Sequence, residues 1–219
     1  MAQRFYSTSS ASEFVDLREA VLRSLPPDNG LYMPERLPGP EEVLQPGWRD
    51  WPFAELGYRI VSALFAGAVP GDTLREIVGE SINFDAPLVT IAEKMHVLEL
   101  FHGPSLAFKD FGARFMARLM GWLTREDERD LVVLVATSGD TGGAVASAFH
   151  GVPGTRVVVL YPSGKVSDLQ EKQLTTLGDN ITALEVSGTF DDCQRLVKAA
   201  FLNRELSEEL NLTSANSIN

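Results

Sequence analysis

The 219-residue chain is 44% hydrophobic and 22% charged, a mix that excludes fibrous and disordered proteins and suffices for a buried core. Nineteen basic residues against thirty acidic ones leave a formal net charge of −11, so polyanions are repelled, and neither nucleic acid nor an anionic membrane is expected as the main partner. One cysteine, Cys193, permits no internal disulfide; the apolar run Leu131–Ala136 is too short to span a bilayer, and the first residues lack an apolar signal core, so a cytoplasmic protein is expected.

Ser10 and Glu13 have capping-box spacing, and Phe14, Leu17, Val21, Leu22 and Leu25 recur on one face, predicting a first helix that Pro26-Pro27-Asp28-Asn29-Gly30 stops. Residues 31–51, rich in Pro and Gly, read as an ordered connecting loop. Phe53, Leu56, Ile60, Val61, Leu64 and Phe65 predict a second helix, and Asp72 a cap for a third running through Leu74, Ile77 and Val78. Residues 1–90 therefore read as a helical N-terminal domain. In 91–219 the pattern alternates: strand 96–101, helix 108–123, strand 131–136, helix 139–149, strand 157–160, helix 167–177, strand 181–186, helix 191–202. That succession predicts an open, mostly parallel α/β sheet, and the unbroken apolar run 131–136 a strand buried on both faces.

Two segments could carry chemistry. In Phe101-His-Gly-Pro-Ser-Leu-Ala-Phe-Lys-Asp110, Gly103-Pro104 makes a turn and Ser105 can cap the following helix. Phe108, Phe111, Phe115, Leu119 and Trp122 cluster on one face of that helix; Arg114 and Arg118 lie opposite, toward water. Lys109 falls on the margin of the apolar face, in the first turn. A helix N-terminus and partial burial both disfavour a cation, pushing the amine toward the neutral, nucleophilic form that Schiff-base chemistry requires. A boundary lysine with a packed stem and a wet ammonium meets the same spacing.

The second segment is Ala136-Thr-Ser-Gly-Asp-Thr-Gly-Gly-Ala144, between a buried strand and a helix. Its backbone N–H groups and the hydroxyls of Thr137, Ser138 and Thr141 could cradle a phosphate or carboxylate, at the strand ends where open α/β sheets bind ligands. A tight turn with an Asp or Ser cap is the alternative. No Walker motif is present, and the dinucleotide fingerprint is poor. Lys165, in the Ser-Gly turn after a strand, could reach an anion or be a surface lysine. His102 reads as a hydrogen-bonded structural histidine; His96 and His150 lack ligand-spaced partners, so no metal is expected. Cys193 reads as a buried small hydrophobe, and Asn211-Leu-Thr213 matches a glycosylation sequon without meaning in a cytoplasmic protein.

Together these residues resemble the threonine synthase family, in its longer branch with an extra N-terminal layer. The matching motifs span nearly the whole chain: Tyr6-Ser-Thr8, Gly30-Leu-Tyr-Met-Pro34, Leu98–Ser105, Ala107-Phe-Lys-Asp-Phe-Gly112, Thr137-Ser-Gly-Asp-Thr-Gly142, Tyr161-Pro, Gly164-Lys-Val166, Gly188–Cys193 and Ser214–Asn219. Ser105 stands where the family commonly has threonine, and Gly143 where alanine is frequent. The resemblance implies a sheet of the tryptophan-synthase-β type, pyridoxal phosphate as cofactor, Lys109 as the lysine that carries it, and Phe108 and Asp140 beside it. Thr137, Ser138, Gly139, Asp140 and Thr141 would hold the substrate carboxylate, with Lys165 near its phosphate. The implied reaction converts O-phosphohomoserine and water to threonine and phosphate. Family members run much further, and their Gly/Asn-rich cofactor-phosphate loop has no counterpart before residue 219, so an N-terminal portion, weak or inactive alone, is expected. A related phospho-lyase releasing 2-oxobutyrate and a non-catalytic anion-binding module remain as alternatives.

Overall fold

The computed structural model describes residues 2–215 and divides into two compact units, one within residues 1–83 and one from Phe84 onward. Residues 216–219 of the final matching motif lie outside the described residues.

The first unit combines helices with a small antiparallel sheet. Strand β1 (Phe5–Ser7) lies between β2 (Ser10–Val15) and β3 (Tyr32–Pro34). The helix expected from Ser10 is thus a strand, and α1 spans only Leu17–Arg23. Its cap is Asp16, whose Oδ1 accepts from the Glu19 backbone N–H at 2.8 Å. Asp16 and Glu19 repeat the cap-then-Glu spacing of Ser10 and Glu13, and pairing of Phe14 and Val15 with Tyr6 and Phe5 decides which of the two starts the helix. The segment expected to be a connecting loop contains β3, the short helix α2 (Pro40–Val43) and a 3-10 turn at Trp48–Asp50. Helices α3 (Phe53–Phe65) and α4 (Gly71–Ser81) pack together, with Leu74, Ile77 and Val78 buried. Asp72 lies in the first turn of α4 rather than at its cap, which is Pro70.

The second unit opens with an exposed antiparallel hairpin, β4 (Leu88–Ala92) and β5 (Met95–Leu98). Only β5 was legible from the sequence. Helix α5 (Lys109–Thr124) follows, then β6 (Leu131–Ala136), α6 (Asp140–Phe149), β7 (Thr155–Pro162), α7 (Asp168–Thr175), β8 (Ile181–Val186), α8 (Phe190–Leu202), α9 (Arg204–Leu210) and β9 (Leu212–Thr213). The strands form a parallel sheet in the order β8-β7-β6-β9, as the alternating pattern predicts. Leu134 and Leu160 pack with Cys193 of α8, while the alternate set Val133, Val157 and Val159 is buried on the opposite face. Layers on both faces explain why β6 reads as a continuous apolar run. No helix among the described residues is long and apolar enough to cross a membrane.

Helix α5 turns a different face inward from the aromatic one expected. Its buried positions include Ala113, Ala117, Met120 and Thr124, and it packs on α6, where Gly142, Gly143, Ala144 and Ala146 are buried. Phe108 is instead 69% exposed, and Arg114 and Arg118 are half-buried. Ala117→Leu is therefore expected to overpack this contact and cost about 1–3 kcal/mol, read as a lowered midpoint in urea with an unchanged slope.

Candidate active site

Lys109 is the first residue of α5 and lies one and two turns before Ala113 and Ala117, beside the buried face they form. It is half-buried, and burial holds its amine below the usual lysine range. Its Nζ donates to the Ala215 carbonyl oxygen at 3.1 Å. Ala215 follows β9, whose Thr213 pairs with Val133 of β6. At two residues further on, the amine is carried to the carboxyl end of β6, where the Thr137–Gly142 loop begins. The carbonyl that holds the amine thus follows β9 at the side of β6, and the loop follows β6 at the end of the sheet where ligands bind in open α/β folds.

The approach to Lys109 is held by a residue that sequence reasoning missed. Asp110 is 1% exposed, and its two carboxylate oxygens accept from the Ser105 backbone N–H at 2.9 Å and from Ser105 Oγ at 2.6 Å. Ser105 therefore donates to Asp110 instead of capping α5, whose N-cap is Phe108 without a side-chain bond. An acidic residue in a first helical turn reads from sequence as a helix-dipole partner, which hides this role. Leu106, between the two, sits at φ 59°, a left-handed conformation rare for leucine.

The glycine-rich loop is built around Thr137. This side chain is buried, and its hydroxyl accepts from the backbone N–H groups of Gly139 and Gly142, at 3.0 and 2.9 Å, while donating to the Gly139 carbonyl at 3.0 Å. The hydroxyl expected to meet a ligand is thus engaged inside the loop. Gly139 has φ 153° and ψ −111°, a region for glycine, and Gly142 lies against Thr137, leaving no room for a side chain. Ser138, Asp140 and Thr141 are exposed around this frame, at the N-terminus of α6. Thr137→Val keeps the shape but orphans two buried N–H groups; a loss of about 1–3 kcal/mol is expected by thermal denaturation, with Thr137→Ser restoring most of it.

Lys165 is exposed on the turn after β7, beyond the same carboxyl end of the sheet. The histidines are hydrogen-bonded locally: His96 to Thr90, His102 to Glu99 with its ring stacked on Phe101, and His150 to Asp179. No cluster able to hold a metal occurs among the described residues. Burial raises the pKa of the Cys193 thiol, as suits a small core residue. Asn211 ends α9 in the left-handed region, and Thr213 of the same sequon is buried in β9.

A half-buried lysine opens α5, and a glycine-rich loop follows β6 at the carboxyl ends of the parallel strands. Residues 91–219 match the family model for pyridoxal-phosphate dependent enzymes, and the chain belongs to that family. Residues 4–82 match the model for the threonine synthase N terminus. The chain is 43% identical over 216 residues to the threonine synthase of Escherichia coli and 45% identical over 214 residues to that of Haemophilus influenzae, covering 99% and 98% of this chain. It spans about half the length of these curated relatives, 50% and 49% respectively. Among solved structures it resembles Escherichia coli threonine synthase with a TM-score of 0.85 at 42% identity, covering 99% of this chain and 50% of that one. The pyridoxal-phosphate-bound threonine synthase of Brucella melitensis aligns with a TM-score of 0.90 at 35% identity, over 99% of this chain and 48% of that one.

Proposed function

We propose that this chain supplies the lysine and the carboxylate-binding loop of a threonine synthase, acting with pyridoxal phosphate on O-phosphohomoserine. The observation that carries this reading is the half-buried amine of Lys109, at the start of α5 and donating to the Ala215 carbonyl, with its pKa lowered by burial. The residues fit the cofactor: one amine is kept from full hydration, and exposed hydroxyls and helix N–H groups stand nearby for an anion. When bound, pyridoxal phosphate supplies an electron sink for the carbanion that forms at the substrate's α-carbon.

The chain's own groups do the rest. Lys109 holds the cofactor, with Phe108 and Asp140 beside it. The neutral amine takes the proton from Cα and serves Cβ in turn, as a general base whose pKa burial has moved toward the working range. The hydroxyls of Ser138 and Thr141 and the backbone N–H of Asp140 hold the substrate carboxylate, while the Gly139 N–H is taken by Thr137, which shapes the loop from beneath. Phosphate leaves from Cγ, which ends as the methyl carbon after gaining a proton, and the hydroxyl from water adds at Cβ. Lys165 offers a local positive charge for the phosphate on a protein of net charge −11. The cytoplasm, where the buried Cys193 stays reduced, is the proposed compartment.

The test is incubation with pyridoxal phosphate, borohydride reduction and peptide mapping. A pyridoxyl mass increment confined to Lys109 is expected, and labelling spread over exposed lysines would refute the reading. Product analysis at relatives' length then separates the chemistry, threonine supporting the synthase and 2-oxobutyrate the phospho-lyase.

A further inference from the structure

We infer that Gln170 is a positioning residue that draws the Asp140 carboxylate away from the ligand-facing N–H groups of the glycine-rich loop. This rests on the proposed function for the loop and deepens it. Gln170 is the third residue of α7, in a capping box with Ser167. Its Oε1 accepts from the Ser167 backbone N–H at 3.1 Å and from Ser167 Oγ at 3.0 Å, and its own N–H donates to Ser167 Oγ at 3.3 Å. Glutamate would serve such a box equally well, since only the acceptor end of the side chain is used. The donor end does something the box does not require: Nε2 reaches 30 residues back and donates to Asp140 Oδ1 at 2.7 Å.

The loop is shaped to admit this bond. A Cβ on Gly139 would stand 2.5 Å from Gln170 Nε2, so the loop backbone passes directly beneath the amide. Asp140 is the first residue of α6 and lies between the exposed Ser138 and Thr141. A carboxylate there has two uses for its charge. Left alone, it turns onto the free N–H groups of its own helical turn and competes with any anion for them. Engaged by Gln170, it is directed toward α7, and the turn stays open to a ligand carboxylate or phosphate.

The decisive variant is Gln170→Glu, which preserves the acceptor of the capping box but removes the donor to Asp140. Its partner is Asp140→Asn, which in the double variant restores a donor–acceptor pair with reversed polarity. Without cofactor, amide exchange at the start of α6, in the peptide covering 137–145, is expected to slow about threefold or more in Q170E, because the released carboxylate accepts from those N–H groups, and to return within about twofold of wild type in D140N/Q170E, while the α7 peptide is unchanged in both. Cofactor affinity in a polypeptide of the relatives' length, read from absorbance at 390–430 nm, is expected to fall at least about fivefold when Q170E is introduced into the wild type and not when it is introduced into D140N. Equal exchange in wild type and Q170E, or the same affinity loss in both backgrounds, would overturn the inference. Failure of that wild-type polypeptide to take up cofactor counts against the proposed function alone; the exchange cycle then still upholds or overturns the clamp.

Discussion

Replacing Lys109 by methionine is expected to abolish borohydride-fixed pyridoxal phosphate and, in a polypeptide of the relatives' length, to lower turnover by at least about a thousandfold, since nucleophile and base are lost together. The other lysines, Lys94, Lys165, Lys172 and Lys198, are exposed. Each unit by which burial lowers the Lys109 pKa gives about tenfold more neutral amine at a given pH, so labelling at Lys109 should begin below the usual lysine range. Methionine also provides a folding control, because it replaces a desolvated amine with an apolar group of similar length. In the window between the lowered folded pKa and the ordinary value of 10.5, the unfolded chain binds the Lys109 proton and the folded chain does not. Stability therefore rises with pH across that window in the wild type, and this slope should vanish in Lys109→Met. Denaturant midpoints measured from about pH 7.5 to the ordinary lysine value read this difference. A slope identical in both proteins would mean that the amine is fully solvated.

Asp110→Ala is expected to be the most destabilising single change near the site, at about 3 kcal/mol. A buried carboxylate that accepts two hydrogen bonds is lost, and the Ser105 N–H and hydroxyl lose their acceptor. For a chain of this size the loss corresponds to a fall of roughly 6–12 °C in Tm by calorimetry. Asp110→Asn retains an oxygen acceptor and the shape, and should cost less than half as much. Ser105→Ala removes the hydroxyl but leaves the N–H bond, and should cost about 1 kcal/mol. The Gly103–Asp110 turn holds Leu106 at φ 59° just before the lysine, so Asp110→Ala should also slow pyridoxal-phosphate labelling of Lys109 in the fraction that remains folded. Labelling at the wild-type rate would show that the turn does not orient the amine.

The misread segment at the N-terminus shows where local pattern loses to pairing. Ser10 and Glu13 satisfy the spacing of a capping box, but so do Asp16 and Glu19, and an isolated short helix is marginal from either start. Antiparallel partners on β1 decide the matter by taking Ser10–Val15 into a sheet. On α5 the error had another cause. Aromatic side chains dominated the apolar count, whereas the buried positions of α5 include Ala113 and Ala117, which carry little hydrophobic weight.

The alternation of helix and strand beyond residue 130, the parallel sheet and the identities of Lys109 and the 137–142 loop were all legible in the order of residues, because helical periodicity, β-branched runs and glycine-opened turns act over a few neighbouring positions. What surrounds those residues was not. Ala215 offers a backbone carbonyl 106 residues from the lysine, and any residue type has one. Asp110 and Gln170 carry ordinary helix-start signatures, and their links to Ser105 and Asp140 exist only once the chain has folded to bring the partners side by side. Thr137 reads as a ligand hydroxyl until the loop closes over it. Hydrogen-bond partners are chosen by direction and distance in three dimensions, so the order of residues marks the candidate segments and the tertiary fold decides which groups they bond.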